Sequence, residues 1–416
     1  MNLTFATGCS GIGAPEVAWG DRLGWTGLWC SEIDPFASAV LKEHWPHIPN
    51  VGDFMNICKM LDNDELEAPD VFIAGTPCQA FSIAGLRKSL KDERGGLTLE
   101  YCKIANSMDE QRRRRGKQET IFVWENVLGV FSTKDNAFGC LLAGLTGDDR
   151  PCPPLKLGGR TVVSLLERGG RLHGVFLMHN TSEWHNGGSA CLLSQQLAPD
   201  SVRQEDFLSA KKCRELLLRA EKKGHKLSPT LKAIFENQGN KENGISLPKQ
   251  TFGIETHSAD ARLKETGDII PTIQAHAGTG GGSIPLCYAI AENHIGRKLE
   301  NGGNGSGFTK ELAYTLNTVG KQGCVFRGVI RRITTVECAR LQGFPDHHTE
   351  ISWKKKSPQD CPKGLQYKAY GNAMCCNVIE WLGRVIEKEI LNPTLNIIEQ
   401  QIKQQVEQEE QLAFDF

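Results

Sequence analysis

The segment Ala74–Gly85 contains the residue best suited to covalent chemistry, Cys78. The apolar run Asp70–Ala74 predicts a buried strand that ends at Gly75 and leads into a tight loop. Cys78 would then lie just beyond the carboxyl end of a strand, where ligands and reactive groups collect in open α/β sheets. Pro77 fixes the backbone immediately before the thiol. Because most single cysteines are small buried hydrophobes, the prediction of a nucleophile depends on the neighbouring motifs.

A second predicted strand carries a carboxylic acid at its end. Thr120–Trp124 is apolar, and Glu125 and Asn126 follow it directly. Since the carboxyl ends of parallel strands meet at one edge of a sheet, we expect Glu125 and Cys78 to lie close together. A carboxyl group beside a reactive thiol can serve as an acid and nucleophile pair.

A glycine-rich loop near the N-terminus predicts a ligand site. Leu3–Thr7 predicts a first strand, Gly8–Gly13 a loop that contains Ser10 and Gly11, and a helix then begins with Pro15 in its first turn. Glycine lets the backbone approach a ligand closely, and a helix N-terminus offers free N–H groups. The pattern is typical of a nucleotide-like cofactor site, with an ordinary tight turn as the alternative.

Two acidic residues follow the next predicted strand ends. Glu32 comes 19 residues after Gly13, at the end of the apolar run Gly27–Cys30, where an acidic side chain can accept hydrogen bonds from ribose hydroxyls. Asp53 comes at the next predicted strand-end loop and could accept a hydrogen bond from an exocyclic amine. A solvated carboxylate is the alternative for Glu32, and a structural role is the alternative for Asp53.

These strand ends predict one α/β sheet that brings the loop of Ser10, Glu32, Cys78 and Glu125 to one edge. A chain of 416 residues is long enough for two domains, or for one large domain with an insertion. The net charge is −1, so any contact with nucleic acid must come from local patches rather than from a basic field over the whole molecule.

The cysteine pattern and the N-terminus predict a reduced, cytoplasmic protein. Fifteen cysteines occur without any Cys-x-x-Cys spacing, which disfavours zinc modules and a disulfide scaffold, and no metal is expected. Met1–Thr7 lacks a charged segment followed by an apolar one, and no apolar run approaches about 18 residues. We therefore expect neither export nor a membrane span.

In order and spacing, several segments resemble the motifs of cytosine-C5 DNA methyltransferases of bacterial or phage type. The segments are Gly11-x-Gly13 with Glu32, Gly75-Thr76-Pro77-Cys78-Gln79-x-Phe81-Ser82, Arg94-Gly95-x-Leu97, Glu125-Asn126-Val127, Arg331–Pro345 and Tyr370-Gly371-Asn372-Ala373. The Pro-Cys-Gln and Glu-Asn-Val segments in this order are highly specific, whereas the glycine-rich loop alone is not. Motif-like segments cover residues 3–127 and 328–385.

The resemblance implies a Rossmann-like S-adenosylmethionine-dependent methyltransferase sheet with helices on both faces and a smaller inserted domain. It implies that Cys78 attacks C6 of a flipped cytosine, that Glu125 holds or protonates N3, and that Pro77 and Asn126 shape the loop. Phe81 and Ser82 would line the base pocket. The implied cofactor-binding residues are Ser10, Gly11, Gly13, Glu32, Ile33, Asp53, Phe54, Leu97, Asn372 and Ala373.

Two departures from the family pattern concern the cofactor and the pocket around Glu125. Cys9 stands where the family usually has an aromatic residue in the first motif. The eighth motif, Gln-x-Arg-x-Arg, is not found after Glu125, so Arg160, Arg168 or Arg171 replaces its arginine or the enzyme is weakened or inactive. The textual match Gln111–Arg115 precedes Glu125 and is predicted to be a solvated basic surface patch.

The domain organisation follows the same resemblance. Residues 1–176 form the first part of the catalytic and cofactor-binding domain, 177–327 the target-recognition insertion, 328–390 the completion of the catalytic domain, and 391–416 a polar tail. Within the insertion, residues 204–238 predict a helix with a basic face that could contact the DNA backbone, a plain solvated face being the alternative.

The leading hypothesis is methylation of cytosine C5 in a specific duplex DNA sequence, by an enzyme that is stand-alone or paired with a restriction nuclease. The alternatives are a tRNA cytosine-C5 methyltransferase and a catalytically impaired DNA-binding relative. A monomer is expected. The terminal segment Gln411–Phe416 resembles peptides that dock on sliding clamps and predicts such a partner.

Overall fold

The computed structural model describes residues 2–76, 96–126, 137–146, 164–168, 171–176, 196–197, 202–222, 227, 229–240, 254–257, 260–265, 288–290, 308–310, 313, 316, 322–326 and 329–391. The chain divides into two compact units. Unit 1 consists of Met1–Asn180 and Met374–Phe416, and unit 2 of Thr181–Ala373.

Unit 1 contains a four-stranded, fully parallel sheet with the strand order β2-β1-β3-β4. The strands are β1 (Thr4–Gly8), β2 (Thr26–Ser31), β3 (Val71–Ala74) and β4 (Ile121–Trp124). The strands predicted at residues 3–7, 27–30, 70–74 and 120–124 are confirmed, with bounds that shift by a residue or so. The strand expected before Asp53 is wrong, because in that described segment only Asn50 forms an isolated bridge, with Cys30. The strand order reverses between β1 and β3, and ligands bind beyond the carboxyl ends of strands at such a switch point.

Helices cover both faces of this sheet, so the α/β Rossmann-like class is confirmed. In the described residues they are a π-helix (Glu16–Arg22), a 3-10 turn (Phe54–Asn56) and the α-helices Pro35–His44, Ile57–Asp62, Gly96–Arg114, Ala137–Thr146 and Cys376–Leu391. Alternate residues of β3 enter different cores, with Phe72 against the 57–62 and 96–114 helices and Ile73 against the Cys376–Leu391 side. The sheet is therefore buried on both faces, as parallel sheets are.

Unit 1 also contains an antiparallel hairpin of β5 (Ser164–Arg168) and β6 (Arg171–Phe176). Arg168 is paired with Arg171 in this hairpin.

Unit 2 is built on an antiparallel sheet with the order β10-β9-β11-β12. The strands of this sheet are β9 (Tyr288–Ile290), β10 (Phe308–Lys310), β11 (Gly323–Phe326) and β12 (Val329–Arg332). Before them in the chain, β7 (Ile254–His257) and β8 (Asp260–Glu265) form a separate hairpin. Its helices are Ala210–Lys222, Pro229–Asn240, Thr335–Gln342 and Lys363–Asn372, with 3-10 turns at Gln204–Asp206 and Pro358–Asp360. The first two helices pack apolar residues such as Leu216 and Phe235 against Ile330 of the sheet.

The prediction of a single helix over residues 204–238 is wrong, because the segment forms separate elements in the structure. A 3-10 turn at Gln204–Asp206 precedes two helices, Ala210–Lys222 and Pro229–Asn240. Proline lacks a backbone donor and has a fixed φ, so it suits the start of a helix and not its interior.

The predicted solvated patch Gln111–Arg115 is wrong for its first two residues. Gln111 and Arg112 are buried in unit 1, where the guanidinium of Arg112 donates to Asp70 Oδ1 at 2.7 Å and to the Ala68 carbonyl at 3.1 Å. The exposed arginines also have partners, Glu119 for Arg113 and Asp64 for the next two. The charges of this run are largely compensated within the unit.

Among the residues that the structure describes, no helix is long and apolar enough to cross a membrane. Within the same described ranges, no group of three or more His, Cys, Asp or Glu side chains could hold a metal ion.

Candidate active site

The ends of β3 and β4 are tied together by hydrogen bonds. The amide of Glu125 donates to the Ala74 carbonyl at 3.1 Å, and Asn126 Nδ2 donates to the carbonyl and to Oγ1 of Thr76 at 3.2 and 3.3 Å. Trp124 Nε1 donates to the same hydroxyl at 3.0 Å. The sequence analysis did not single out Thr76, although its position two residues before Cys78 marked it. These bonds connect Glu125 to Thr76, two residues before Cys78 in the sequence.

Four of the predicted residues lie outside the described ranges. They are Pro77, Cys78, Phe81 and Ser82. Their roles in attack and in base binding remain predictions from the sequence. The described part of the same loop ends at Thr76.

The Glu125 carboxyl lies beside Gly75, the residue that follows β3. A β-carbon at Gly75 would be 3.2 Å from Glu125 Oε2 and 2.8 Å from Met374 Cε, so glycine makes room for both side chains. Desolvation by the surrounding protein raises the pKa of Glu125 above its ordinary value. A carboxyl with a raised pKa holds its proton more readily and is suited to donate it to a ring nitrogen.

The glycine-rich loop has an open side. Cys9, Gly11 and Gly13 have φ angles of 51°, 58° and 85°. A β-carbon at Gly13 would lie 2.3 Å from Trp45 Cζ3, whereas one at Gly11 would have no neighbour within 4 Å. The positive φ angles turn the backbone sharply, and the space beside Gly11 lets a ligand approach it.

The Glu32 carboxylate binds this loop. Oε2 accepts a hydrogen bond from the Gly11 amide at 2.7 Å, and Oε1 accepts from the amides of Ile33 and Asp34 at 2.9 and 2.7 Å. Burial raises the pKa of Glu32, against the lowering effect of these bonds. A carboxylate has about four acceptor sites, so one is left for a ribose hydroxyl. The Ile33 side chain is 71% exposed, which leaves an apolar surface beside the carboxylate for an adenine ring.

Asp53 and Phe54 lie near the same loop. Asp53 is exposed, and its Oδ1 caps a 3-10 turn by accepting from the Met55 amide at 3.0 Å, which leaves Oδ2 for another donor. Burial, with the Glu32 and Asp53 carboxylates, raises the pKa of the Cys9 thiol to about 12. Phe54 is buried directly beneath Gly8.

The remaining predicted cofactor residues lie far along the chain from the glycine-rich loop. Leu97 is half-buried at the start of the Gly96–Arg114 helix and packs on the core. Asn372 and Ala373 end the last helix of unit 2. Their contacts with a cofactor remain predictions.

A buried carboxyl behind the loop was missed by the sequence analysis. Glu16 accepts a hydrogen bond from Thr7 Oγ1, which lies 2.6 Å from Ser10 Oγ. The only signal in the sequence was an acidic residue within the apolar first turn of a helix. Burial raises its pKa to about 7.

A family model for the C-5 cytosine-specific DNA methylase matches residues 4–143 and 194–388. The region between the two matched parts includes Arg160, Arg168 and Arg171, the three residues considered as replacements for the arginine of the eighth motif.

Relatives from phages and bacteria align over most of the chain. A protein of Escherichia phage P1 named DNA N-6-adenine-methyltransferase is 30% identical over 93% of this chain and 61% of its own length, so the chain spans less than two thirds of that relative. The orphan methyltransferase M.SPRI of Bacillus phage SPR is 24% identical over 93% of this chain and 97% of its own length. The type II methyltransferase M.Sau96I of Staphylococcus aureus is 24% identical over 85% of this chain and 68% of its own length.

The family model thus spans most of the chain, and the parallel sheet carries Glu125 and the glycine-rich loop at its carboxyl edge. The chain belongs to the C-5 cytosine-specific DNA methylases, the family of DNA cytosine-5 methyltransferases.

Proposed function

We propose that the chain transfers a methyl group from S-adenosylmethionine to C5 of a cytosine in a specific duplex DNA sequence. The observation that carries the proposal is the set of hydrogen bonds between the ends of β3 and β4, which holds Glu125 next to Ala74 and Thr76, just before Cys78 in the sequence, in a chain of this family. The adenine named for the phage P1 relative is not carried over, because the matched family acts on cytosine C5.

The Cys78 thiolate would add to C6 of the cytosine ring and make C5 nucleophilic. Glu125 would protonate or hold N3 and stabilise the charge that develops on the ring. S-adenosylmethionine supplies an electrophilic methyl group on its sulfonium. Loss of the C5 proton then breaks the bond between C6 and sulfur and releases Cys78. The base must leave the stacked duplex first, at a cost of a few kcal/mol.

The described residues fit the cofactor. The open side of Gly11 admits a ligand to the loop, the spare acceptor site of Glu32 suits a ribose hydroxyl, and exposed Ile33 suits an adenine face. Asp53 Oδ2 would accept from the adenine amine. These residues would bind and orient the cofactor at the carboxyl ends of β1 and β2.

A methylation assay tests the proposal. Wild type and Cys78→Ser are incubated with labelled S-adenosylmethionine and either duplex DNA or tRNA, and the products are digested to nucleosides. We expect 5-methylcytosine in DNA for the wild type and none for the variant. Label in tRNA alone would replace DNA by RNA as the substrate, and N6-methyladenine would contradict the cytosine assignment.

A catalytically impaired DNA-binding relative is the second candidate. Residues 144–193, where the eighth motif should occur, are the part between the two segments of the family match. DNA binding without methyl transfer to DNA or tRNA would favour this candidate. A covalent complex with DNA containing 5-fluorocytosine, absent in Cys78→Ser, would exclude it.

The partners and setting follow from the DNA substrate. The enzyme would act as a monomer in the bacterial or host-cell cytoplasm, with residues 177–327 selecting the DNA sequence.

Gln411–Phe416, outside the described residues, would dock on a sliding clamp. Deletion of these six residues should abolish clamp capture in a pull-down, and unchanged capture would refute the docking. The type II name of the Staphylococcus aureus relative favours pairing with a nuclease, whereas the orphan name of the Bacillus phage relative favours a stand-alone enzyme.

A further inference from the structure

Glu16 is an ionisable group buried directly behind the glycine-rich loop. Its side chain is only 1% exposed, in the first turn of the Glu16–Arg22 helix. Oε1 accepts a hydrogen bond from Thr7 Oγ1 at 2.7 Å, whereas Oε2 is buried without a hydrogen-bond partner. An unsatisfied buried carboxyl oxygen costs free energy, so a structural role alone does not account for this residue.

A chain of hydroxyl groups connects Glu16 to the loop. Thr7 Oγ1 donates its single proton to Glu16. In the contact of 2.6 Å between the Thr7 and Ser10 hydroxyls, Ser10 is therefore the donor and Thr7 the acceptor. Ser10 Oγ then accepts from the Ser31 amide at 3.0 Å. Ser10 precedes Gly11, whose amide binds Glu32. The carboxylate is therefore the final acceptor of a relay that runs from the Ser31 amide through the Ser10 hydroxyl of the loop.

Two carboxyl groups are bonded to this region, Glu16 at the end of the relay and Glu32 at the Gly11 amide. The Cys30 thiol on β2 and the Cys376 thiol on the Cys376–Leu391 helix are buried, which raises the pKa of each far above neutrality and keeps both uncharged. Asp21, on the Glu16 helix, also disfavours ionisation of Glu16, and Arg22 ends that helix and pairs with Glu380. Among the described residues, no ion pair neutralises Glu16.

We propose that Glu16 is a positioning and specificity-determining residue: its carboxylate, placed behind the Gly8–Gly13 loop, balances the sulfonium charge of S-adenosylmethionine and favours it over neutral-sulfur S-adenosylhomocysteine. The proposal rests on the cofactor named under the proposed function. It supplies a reason for the buried charge, because the loop then holds the methyl donor more tightly than the product that must leave after transfer.

The charge balance makes donor-over-product selectivity depend on pH. Burial raises the pKa of Glu16 to about 7, so the side chain is largely neutral at about pH 6 and largely ionised at about pH 8. The ratio of affinities for S-adenosylmethionine and S-adenosylhomocysteine should therefore rise over this range. Roughly tenfold is expected, as for unit charges about 10 Å apart at an effective dielectric constant of about 20.

Isothermal titration calorimetry of the full chain with each ligand tests the proposal without any methylation assay. In the wild type, the affinity ratio should rise from about pH 6 to about pH 8. In Glu16→Gln, which keeps an acceptor for Thr7 but removes the charge, the ratio should be lower at about pH 8 and independent of pH. Glu110→Gln, the same substitution at an exposed position of the Gly96–Arg114 helix, should behave as the wild type.

A second measurement uses the wild type alone and does not depend on the folding of a variant. The positive charge of the donor lowers the pKa of Glu16, so its binding near neutral pH should release protons, detected as a binding enthalpy that varies with the ionisation enthalpy of the buffer. Binding of S-adenosylhomocysteine, whose sulfur is neutral, should release fewer protons.

Different failures can be told apart. Equal weakening of both ligands in Glu16→Gln would indicate a structural role only and overturn the proposal, as would a ratio unaffected by pH and by the substitution. A wild type that binds neither ligand would refute the cofactor itself, and the Glu16 proposal with it. Binding of both ligands without any methyl transfer would contradict only the proposed function.

Discussion

Glu16 should also be visible in the pH dependence of stability without any ligand. Its pKa is raised from 4.5 to about 7 on folding, so the folded state binds the proton more tightly than the unfolded state. The free energy of unfolding should therefore fall as pH rises from about 5 to about 8, by about 3 kcal/mol relative to Glu16→Gln. Urea denaturation of both proteins at the two pH values measures this. An equal difference at both values would contradict the raised pKa.

Gly11 is where the loop should be most sensitive to an added methyl group. Gly11→Ala would place a β-carbon in the open space assigned to the cofactor and should weaken S-adenosylmethionine binding by about tenfold or more. Gly24→Ala is the matched control, because Gly24 also has a positive φ and open surroundings but lies outside the loop. Both should lose about 1–2 kcal/mol of stability from backbone strain, and only Gly11→Ala should lose affinity in a binding titration. Equal affinities of the two variants for S-adenosylmethionine would mean that the cofactor does not bind beside Gly11.

The junction between β12 and the Thr335–Gln342 helix depends on a buried ion pair. Arg331 donates to both carboxylate oxygens of Glu337 at 2.8 and 2.7 Å, and both side chains are almost fully buried. Glu337 Oε2 also accepts from the Thr334 amide at 2.7 Å, which completes a capping box at the start of the helix. One carboxylate thus joins the strand to the helix.

Arg331→Met should destabilise unit 2 by about 3–5 kcal/mol, because it leaves the buried Glu337 charge without its partner. Arg340→Met, which removes an exposed pair with Asp346, should cost no more than about 1 kcal/mol. Chemical denaturation of the two variants compares these costs. A similar small cost for both would mean that Glu337 is neutralised in another way.

Unit 1 is completed by a helix that follows unit 2 in the chain. Within Cys376–Leu391, the Ile379 carbonyl accepts from Trp19 Nε1 at 2.8 Å, and Ile379 and Ile386 share a core with Trp19 and Trp25. A β-carbon at Gly383 would lie 2.6 Å from both Trp19 Nε1 and Leu23 Cδ1. The Glu16–Arg22 helix is therefore covered by residues more than half the chain away.

Gly383→Val should destabilise unit 1 by about 1–3 kcal/mol through overpacking against Trp19. Gly364→Val, at an exposed helical position with nothing near its β-carbon, should change stability by less than about 1 kcal/mol. Urea unfolding followed by tryptophan fluorescence compares them. Equal effects would show that close packing at Gly383 is not what limits the side chain there.

Local sequence patterns were sufficient to predict the four parallel strands and the residues that follow them. Short apolar runs ending at glycine or at an acidic residue are properties of neighbouring residues, so Glu32 and Glu125 could be assigned to strand ends without coordinates. The Glu32 contact with Gly11 agrees with the expected nearness of these residues. The roles of Cys78 and of the base-pocket residues remain predictions.

Burial and pairing could not be obtained in the same way, because they depend on residues far apart in the chain. The run Gln111–Arg115 predicted a solvated surface, yet Arg112 is buried through a partner 42 residues earlier, Asp70. Glu16 resembled an ordinary acidic residue at a helix start, and only the packing of the strands, the helix and Cys376–Leu391 around it made it a buried carboxyl. Sequence order therefore determined which chemical groups reach the carboxyl edge of the sheet. The tertiary structure decided which of them are desolvated, since desolvation depends on every element packed around a group.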